Sequence, residues 1–243
     1  MLNLMEGKKG LIIGVANERS IAWGIAKVLA EHGAELAITY QTESFERRVR
    51  PLAESIGSKL ILPLDVQNES SLDNLFDCLE TKWGKVDFLV HAIAYSDKDE
   101  LIGRFINTSR KNFLNSLDIS CFSLVDLSNR AVRLMQDGGS ILTLTYMGSQ
   151  RVTPNYNVMG VAKAALESSV RYLANDLGQQ GITVNAISPG PMKTLAGAAI
   201  GGARTVYRTA EANSPLKTNP SQKSVGGTAL YLLSEYGSIR LVK

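Results

Sequence analysis

The sequence is poor in the side chains that build metal centres and disulfide frameworks, with only two cysteines and two histidines in 243 residues. Cys78 and Cys121 show no CxxC or Cys/His spacing, which excludes a zinc site and a disulfide framework and indicates a reducing compartment. His32 and His91 are too few for a multi-histidine metal centre, and a Ser-His-Asp hydrolase could take its base only from these two. We therefore expect no metal site.

The chain also lacks a strong charge of either sign and a long apolar run. Its formal net charge is +3, with basic and acidic residues interleaved, so we expect no nucleic-acid partner. No apolar stretch approaches the ~18 residues of a membrane span, and the start from Met1 to Lys9 lacks the apolar segment of a signal peptide. The sequence predicts a soluble cytoplasmic protein with no membrane partner.

Internal repeats, low-complexity tracts and Pro/Ser-rich linkers are absent as well, so residues 1–243 are predicted to form a single domain. Short apolar runs alternate with longer amphipathic ones, which is the pattern of βαβ units and a covered parallel sheet. The predicted fold class is α/β, a single doubly wound Rossmann-type parallel sheet flanked by helices. The predicted strands are Gly10–Gly14, Glu35–Tyr40, Lys59–Leu64, Val86–Val90, Ser140–Thr145 and Ile182–Ile187. The predicted helices lie near Ser20–His32, Ser44–Ile56, Ser70–Trp83, Arg110–Gln136, Asn155–Leu177 and Lys223–Ser234.

One segment breaks this rhythm, from Gly190 to Ser214. It contains Pro191 and three further glycines and is too long for an ordinary connection. Long loops in compact domains are usually lids or binding loops, so we predict that residues of about 190–214 form such a loop.

The connection after the first strand occupies the place where a doubly wound fold binds a dinucleotide pyrophosphate. Glycine there lets the backbone approach, and the following helix N-terminus offers free N–H groups. The chain runs from Gly14 to Gly24 without a GxGxxG motif, and Ser20 stands where a glycine is usual. Ser20 is interpreted either as a plain helix N-cap or as an N-cap whose hydroxyl also meets a phosphate.

The ends of the next strands carry candidate contacts for the rest of a dinucleotide. Gln41 follows strand two and can hydrogen-bond a ribose hydroxyl, whereas Arg47 and Arg48 come a helical turn later and fit a solvated helix face, which favours NADH over NADPH. Asp65 and Val66 close strand three, where adenine would lie. The run from His91 to Ala94 closes strand four at the same edge of the sheet.

Two tyrosines and a lysine form the most specific chemical pattern in the chain. Tyr156 and Lys163 are seven residues apart, about two helical turns, and so project from one face of a helix starting near residues 154–155. A tyrosine hydroxyl can donate to a developing oxyanion, while a lysine can hold a ribose and lower the phenol pKa by its charge. Tyr146 follows strand five and is expected near the same cleft.

These segments together resemble the short-chain dehydrogenase/reductase superfamily, and within it the bacterial NADH-dependent enoyl-acyl-carrier-protein reductases. Most of the superfamily has Tyr-x3-Lys and a TGxxxGxG loop, whereas this branch has Tyr-x6-Lys and the Gly-x5-Ser-Ile-Ala-x-Gly loop found here. The resemblance covers about residues 6–236. The matching segments are Gly14–Gly24, Thr39–Gln41, Asp65–Val66, His91–Tyr95, Leu144–Tyr146, Asn155–Glu167 and Val184–Ala196.

The resemblance implies roles for individual residues. It implies pyrophosphate contacts near Gly14, Ser20 and Ile21, and adenosine contacts at Gln41, Asp65 and Val66. It also implies that Ile93 and Lys163 contact the nicotinamide ribose of NADH/NAD. The carboxamide and phosphates would be contacted by Met192, Lys193, Thr194, Leu195 and Ala196. Ser96 takes the family's substrate-contact position, and Tyr146 and Tyr156 with Lys163 take the catalytic ones.

The resemblance further implies a reaction, partners and an assembly. The reaction is hydride transfer from NADH to C3 of a trans-2-enoyl thioester, the last reductive step of fatty acid elongation. An acyl carrier protein is the implied partner, docking on a basic rim of the 190s loop, and the implied assembly is a homotetramer. The basic rim consists of Lys193, Arg204, Arg208 and Lys217.

Two alternatives and one departure stay open. A carbonyl-reducing member such as a 3-ketoacyl-carrier-protein reductase is the rival enzyme, which Tyr-x6-Lys and Tyr146 disfavour. A nucleotide-binding module that senses NAD(H) is the non-enzymatic alternative. The family continues into a final strand, whereas this sequence ends with Ser238–Lys243, so either the chain is shortened or the protein lacks that strand.

Overall fold

A six-stranded sheet lies at the centre of the computed structural model, which describes residues 3–195, 197 and 202–237. The strand order is β3-β2-β1-β4-β5-β6, and every neighbouring pair is parallel. The predicted doubly wound parallel sheet is therefore confirmed. The strands are β1 Lys9–Ile13, β2 Glu35–Tyr40, β3 Leu60–Pro63, β4 Phe88–His91, β5 Gly139–Leu144 and β6 Ile182–Ile187.

Helices cover both faces of this sheet, and several begin at side-chain caps. The Asn68 side chain accepts from the Ser71 N–H at the start of α3, and Ser221 forms a capping box with Ser224 at the start of α8. Within the described residues, no helix is both long and apolar enough to cross a membrane. The helices are α1 Ile21–Glu31, α2 Glu43–Ser55, α3 Glu69–Trp83, α4 Arg110–Leu117, α5 Ser123–Val132, α6 Asn157–Leu177, α7 Ala203–Asn213 and α8 Gln222–Leu233.

The core consists of two apolar layers, one on each face of the sheet. Successive strand residues alternate between the layers, so Ile12 packs with α1 and α8 while its neighbour Leu11 packs with α3 and α5. Both residues are fully buried. Burial on both faces explains why the strands are continuous apolar runs rather than alternating ones.

The helical stretch predicted from Arg110 to Gln136 is confirmed as far as Val132, with one turn that departs from α-helical geometry. Helix α4 ends at Leu117, a π-helical turn follows at Asp118–Phe122, and α5 ends at Val132. The turn brings the buried Ser120 hydroxyl to the main chain that follows β4. This is a tertiary contact that helical periodicity cannot reveal.

The prediction that residues 190–214 form a loop is wrong for their second half, which contains helix α7. Val206 and Tyr207 on this helix are half-buried, whereas Arg204 and Arg208 are exposed, so the helix is amphipathic and packs its apolar side inward. The prediction of a missing terminal strand concerns residues 238–243, which lie outside the described residues.

The order of the strands places a crevice at the carboxyl edge of the sheet. The chain passes from β1 to β2 on one side, and β4 pairs with β1 on the other, so the connections after β1 and β4 diverge. In doubly wound sheets, ligands bind at such a switch point.

Candidate active site

A cavity of about 760 Å³ opens at this switch point and runs along the carboxyl edge of the sheet. It brings together nearly all of the predicted site residues. Lys193 is exposed and is not among the residues that line the cavity, and Ala196 lies outside the described residues. The predicted residues that line it are Gly14, Ser20, Ile21, Gln41, Asp65, Val66, Ile93, Ser96, Tyr146, Tyr156, Lys163, Met192, Thr194 and Leu195.

Gly14 lines the cavity where the chain leaves β1 and lies against Ala92, which follows β4. Its φ of 108° lies in the region that favours glycine, and an added Cβ would stand 2.2 Å from the Ala92 carbonyl oxygen. The backbone therefore comes close to the cavity with no side chain in the way. Helix α1 begins seven residues later at Ile21, and its first bonded N–H groups are those of Trp23 and Gly24, so the N–H groups of Ile21 and Ala22 have no acceptor within the helix.

The Ser20 hydroxyl does not cap helix α1, which corrects its interpretation as a side-chain N-cap. The oxygen accepts instead from the N–H groups of Ala16 at 3.0 Å and Asn17 at 3.1 Å. These bonds close the glycine loop onto the helix start. Because the oxygen is occupied as an acceptor, the hydroxyl proton is left to donate into the cavity that Ser20 lines.

The far end of the cavity is held by the turn after β3. The Asp65 N–H donates to the Ser71 hydroxyl at 2.9 Å, and the Asp65 carboxylate accepts the Gln67 N–H at 3.1 Å. The Gln67 side chain donates to Asn115 on α4 and to Asp118 in the π turn, at 2.9 and 2.8 Å. Asp65 and Val66 are thus presented on a fixed turn rather than on a free loop.

The segment after β4, Tyr95–Asp97, is fastened to α4 and the π turn by two buried side chains. Ser120 accepts from the Tyr95 N–H at 3.0 Å and donates to the Tyr95 carbonyl at 3.2 Å. Asn112 accepts from the Asp97 N–H at 2.8 Å and exchanges hydrogen bonds with the Ser96 hydroxyl at 3.2–3.3 Å. These contacts fix where Ser96 meets the cavity.

The two tyrosines lie against each other, with ring centroids 5.1 Å apart at an interplanar angle of 66°. Tyr156 is the residue before α6 rather than part of it, so the prediction of a helix starting near residues 154–155 is early. Asn155 has a φ of 59°, in the left-handed region, and lies in the turn that precedes the helix. Tyr156 and Lys163 nevertheless line the same cavity.

Burial controls the ionisation of both groups. The pKa of Tyr156 is raised, first by burial and then by Tyr146, so the expectation that Lys163 would lower it is wrong. Burial lowers the pKa of Lys163 to about 8, while Cys121 and Glu167 oppose that change. The Lys163 ammonium donates to the Leu144 carbonyl at 2.7 Å, at the end of β5.

The wall opposite the tyrosines comes from the 190s segment and α7. The Tyr207 hydroxyl donates to the Met192 carbonyl at 2.7 Å, and the Gly197 N–H donates to the Thr194 hydroxyl at 2.9 Å. The Tyr207 bond ties α7 to the chain that follows β6. The described residues of this segment therefore form part of the cavity wall.

Comparison with known proteins decides which family this site belongs to. The family model described as enoyl-(acyl carrier protein) reductase matches residues 14–239. The chain belongs to this family. It is 58% identical to an NADH-dependent enoyl-acyl-carrier-protein reductase of Rickettsia felis over 231 residues, 95% of this chain and 89% of that protein. It is also 58% identical to enoyl-acyl-carrier-protein reductase [NADH] 1 of Rhizobium meliloti, over 97% of this chain and 86% of the relative.

Solved structures of enoyl-acyl-carrier-protein reductases match over nearly the whole chain. The Anaplasma phagocytophilum enzyme, solved with NAD, superposes with a TM-score of 0.94 at 55% identity and covers 98% of this chain and 91% of that one. The Candidatus Liberibacter asiaticus protein superposes with a TM-score of 0.96 at 51% identity, over 98% and 92%. The resemblance drawn from the motifs is confirmed.

Sequence reasoning missed several residues that build this enoyl reductase site. Met159 and Glu167 fall on the helix face that carries Lys163, three residues after Tyr156 and four after Lys163, so helical spacing could have found them. No local pattern marks Ser120 or Asn112, because their partners are distant in sequence.

Proposed function

We propose that this chain reduces the trans-2 double bond of enoyl thioesters carried by an acyl carrier protein, with NADH as hydride donor. The observation that carries the proposal is one cavity that joins the glycine floor at Gly14 to the paired tyrosines and the buried Lys163. The relatives are named for this reaction. It is the last reductive step of fatty acid elongation.

The cavity residues fit a nicotinamide dinucleotide. Gly14 leaves backbone-only space beside the N-terminus of α1, which suits a pyrophosphate, and the Ser20 proton points to the same partner. Gln41 would meet the adenosine ribose and the Asp65 turn the adenine. Lys163 would hold the nicotinamide ribose. NADH, when bound, supplies the hydride that adds to C3 of the enoyl thioester.

The two tyrosines would act on the thioester oxygen. Its negative charge grows as C3 is reduced, and the Tyr156 hydroxyl would donate a hydrogen bond to it. The raised pKa of Tyr156 keeps this hydroxyl protonated throughout the neutral range. A well-placed donor of this kind is worth roughly 3–4 kcal/mol in the transition state. Tyr146, in edge contact with the Tyr156 ring, would assist, and protonation at C2 completes the product.

We propose further that the chain is a single cytoplasmic domain that assembles as a homotetramer. Large apolar side chains of α4, the π turn and α6 are exposed, as expected of a surface covered by other copies. They include Leu114, Phe122 and Tyr172. The carrier protein would dock on the exposed basic rim Lys193, Arg204, Arg208 and Lys217, because carrier proteins are acidic.

The reaction is tested by following NADH oxidation with crotonyl and acetoacetyl thioesters in parallel. Oxidation with the crotonyl thioester supports the proposal. Oxidation with the acetoacetyl substrate alone would instead support the carbonyl-reducing alternative. NADH binding with turnover of neither substrate would support the sensor.

Two substitutions test the roles of the catalytic pair. Tyr156→Phe removes the oxyanion donor, so we expect kcat to fall by about 10²-fold while NADH affinity stays within about twofold of wild type. Lys163→Ala removes the ribose contact, so we expect weaker NADH binding, measured by fluorescence titration. If both variants change only cofactor affinity, the assigned roles are incorrect.

A further inference from the structure

Glu167 on α6 gathers three side chains of the β5–α6 connection. One carboxylate oxygen accepts the hydroxyls of Thr145 at 2.7 Å and Ser149 at 2.6 Å. The other oxygen accepts the Gln150 amide at 3.5 Å, a weaker contact. Hydrogen bonds from hydroxyls to a carboxylate are short and strong because the acceptor is charged.

The carboxylate is kept ionised by these same partners. Burial acts to raise the pKa of Glu167, but the hydrogen bonds from Ser149, Thr145 and Gln150 and the charge of Arg171 outweigh it, so the pKa is lowered. The Glu167 carboxylate therefore remains a charged hydrogen-bond acceptor throughout the neutral pH range.

These bonds bracket Tyr146 on both sides along the chain. Lys163 holds the Leu144 carbonyl, and Glu167, one helical turn further along α6, holds Thr145 and Ser149. Tyr146 therefore stands between residues fixed to two successive turns of one helix. Its ring packs edge-on against Tyr156 and borders the apolar cluster that contains Leu101 and Met159.

We propose that Glu167 is a positioning residue that sets the place of the Tyr146 ring relative to Tyr156, through Thr145 and Ser149. It touches neither substrate nor cofactor in this role, and it is not among the residues that line the cavity. The inference rests on the proposed enoyl reduction, since it assigns a role within that site.

The first experiment compares Glu167→Ala with Glu167→Gln and with Asp176→Asn, which removes an exposed acidic group from the same helix. Alanine removes the acceptor, so we expect kcat for crotonyl thioester to fall about tenfold with KM for NADH within twofold. Glutamine keeps an acceptor oxygen and should stay within about threefold of wild type. Asp176→Asn should have the kcat and KM of wild type. Loss of cofactor binding instead of kcat would overturn the proposal.

A double-mutant cycle separates positioning from general destabilisation. If Glu167 acts through Tyr146, Glu167→Ala should lower kcat by less than twofold in a Tyr146→Phe background. An equal, tenfold loss in both backgrounds would overturn the proposal. Thr145→Val and Ser149→Ala, which each remove one donor, should reproduce part of the loss if Glu167→Ala does not fold.

A measurement without turnover keeps this inference distinct from the proposed function. With 3-fluorotyrosine incorporated, the fluorine resonance of Tyr146 is assigned by its absence in Tyr146→Phe. We expect this resonance to shift or broaden in Glu167→Ala and to stay unchanged in Asp176→Asn. An unchanged resonance in Glu167→Ala refutes the positioning role, whereas wild type that fails to reduce crotonyl thioester refutes the function alone.

Discussion

The buried imidazole of His91 should make the protein sensitive to acid. His91 ends β4 with no exposed surface, its Nδ1 2.8 Å from the Thr143 hydroxyl and its Nε2 2.8 Å from the Ser123 hydroxyl. Ser123 donates its own proton to the Ile119 carbonyl, so it accepts from His91 Nε2–H. Because burial also lowers the pKa of His91 to about 3, the ring is neutral at pH 7 and Nδ1 accepts from the Thr143 hydroxyl.

The magnitude follows from proton linkage. Burial, reinforced by the charge of Lys163, lowers the pKa of His91 from 6.5 to about 3. As the pH falls below 6.5, His91 becomes protonated in the unfolded chain but stays neutral in the folded chain. The free energy of unfolding therefore decreases until the pH reaches about 3. The full effect is roughly 5 kcal/mol at ~1.36 kcal/mol per pKa unit, of which about 3 kcal/mol falls between pH 7 and 4.

The assay is urea unfolding, followed by circular dichroism at a series of pH values from 7 to 4, for wild type and His91→Asn. The asparagine variant is less stable at pH 7, because it loses packing and a hydrogen bond. It should nevertheless lose about 3 kcal/mol less than wild type on acidification. His32→Gln, which removes the chain's other imidazole, is the control. This variant should keep the loss of unfolding free energy that His91 causes on acidification. Equal pH slopes for wild type and His91→Asn would refute the reasoning.

Two further predictions concern the site. In wild type, the free energy of unfolding should rise by about 2 kcal/mol between pH 8 and 10, because in this range Lys163 is protonated in the unfolded chain but largely neutral in the folded one. Lys163→Met should abolish this rise, and chemical unfolding of both proteins at pH 8 and 10 measures the difference. Gly148→Ala places a Cβ 2.5 Å from the Tyr156 ring and should lower kcat about tenfold, whereas Gly227→Ala, with open space around its Cβ, should not; equal kcat values for both variants would contradict this.

The sheet and most helices could be predicted because the local spacing of apolar residues differs between strands and helices. Strands β2 and β6 begin and end at the predicted residues, since apolar runs bounded by turn residues determine both limits. The site edge could also be predicted, because parallel strands bring their carboxyl ends together. Gly14, Gln41 and Asp65 are far apart in sequence yet line one cavity for that reason.

The features that could not be predicted all depend on distant partners. The π turn inside Arg110–Gln136 accommodates the contact between Ser120 and Tyr95, twenty-five residues away. The Ser20 hydroxyl could accept from N–H groups of the helix or of the loop before it. In the folded chain the loop after Gly14 brings the N–H groups of Ala16 and Asn17 to it. Local patterns state which groups can bond, while tertiary packing determines which bonds form.

The direction of the pKa shifts also changes how Tyr156 and Lys163 would cooperate in the proposed reaction. Burial favours the neutral forms of both Tyr156 and Lys163, so the phenol is a donor without help from the lysine, and the lysine charge itself needs support. Cys121, and after it Glu167, act to raise the Lys163 pKa against burial, and the charge of Glu167 is itself secured by the hydroxyls of Ser149 and Thr145. The lysine charge therefore has two supports, whereas the hydroxyls of Thr145 and Ser149 share one acceptor oxygen of Glu167, so loss of Glu167 should act on the Tyr146 segment rather than on the lysine.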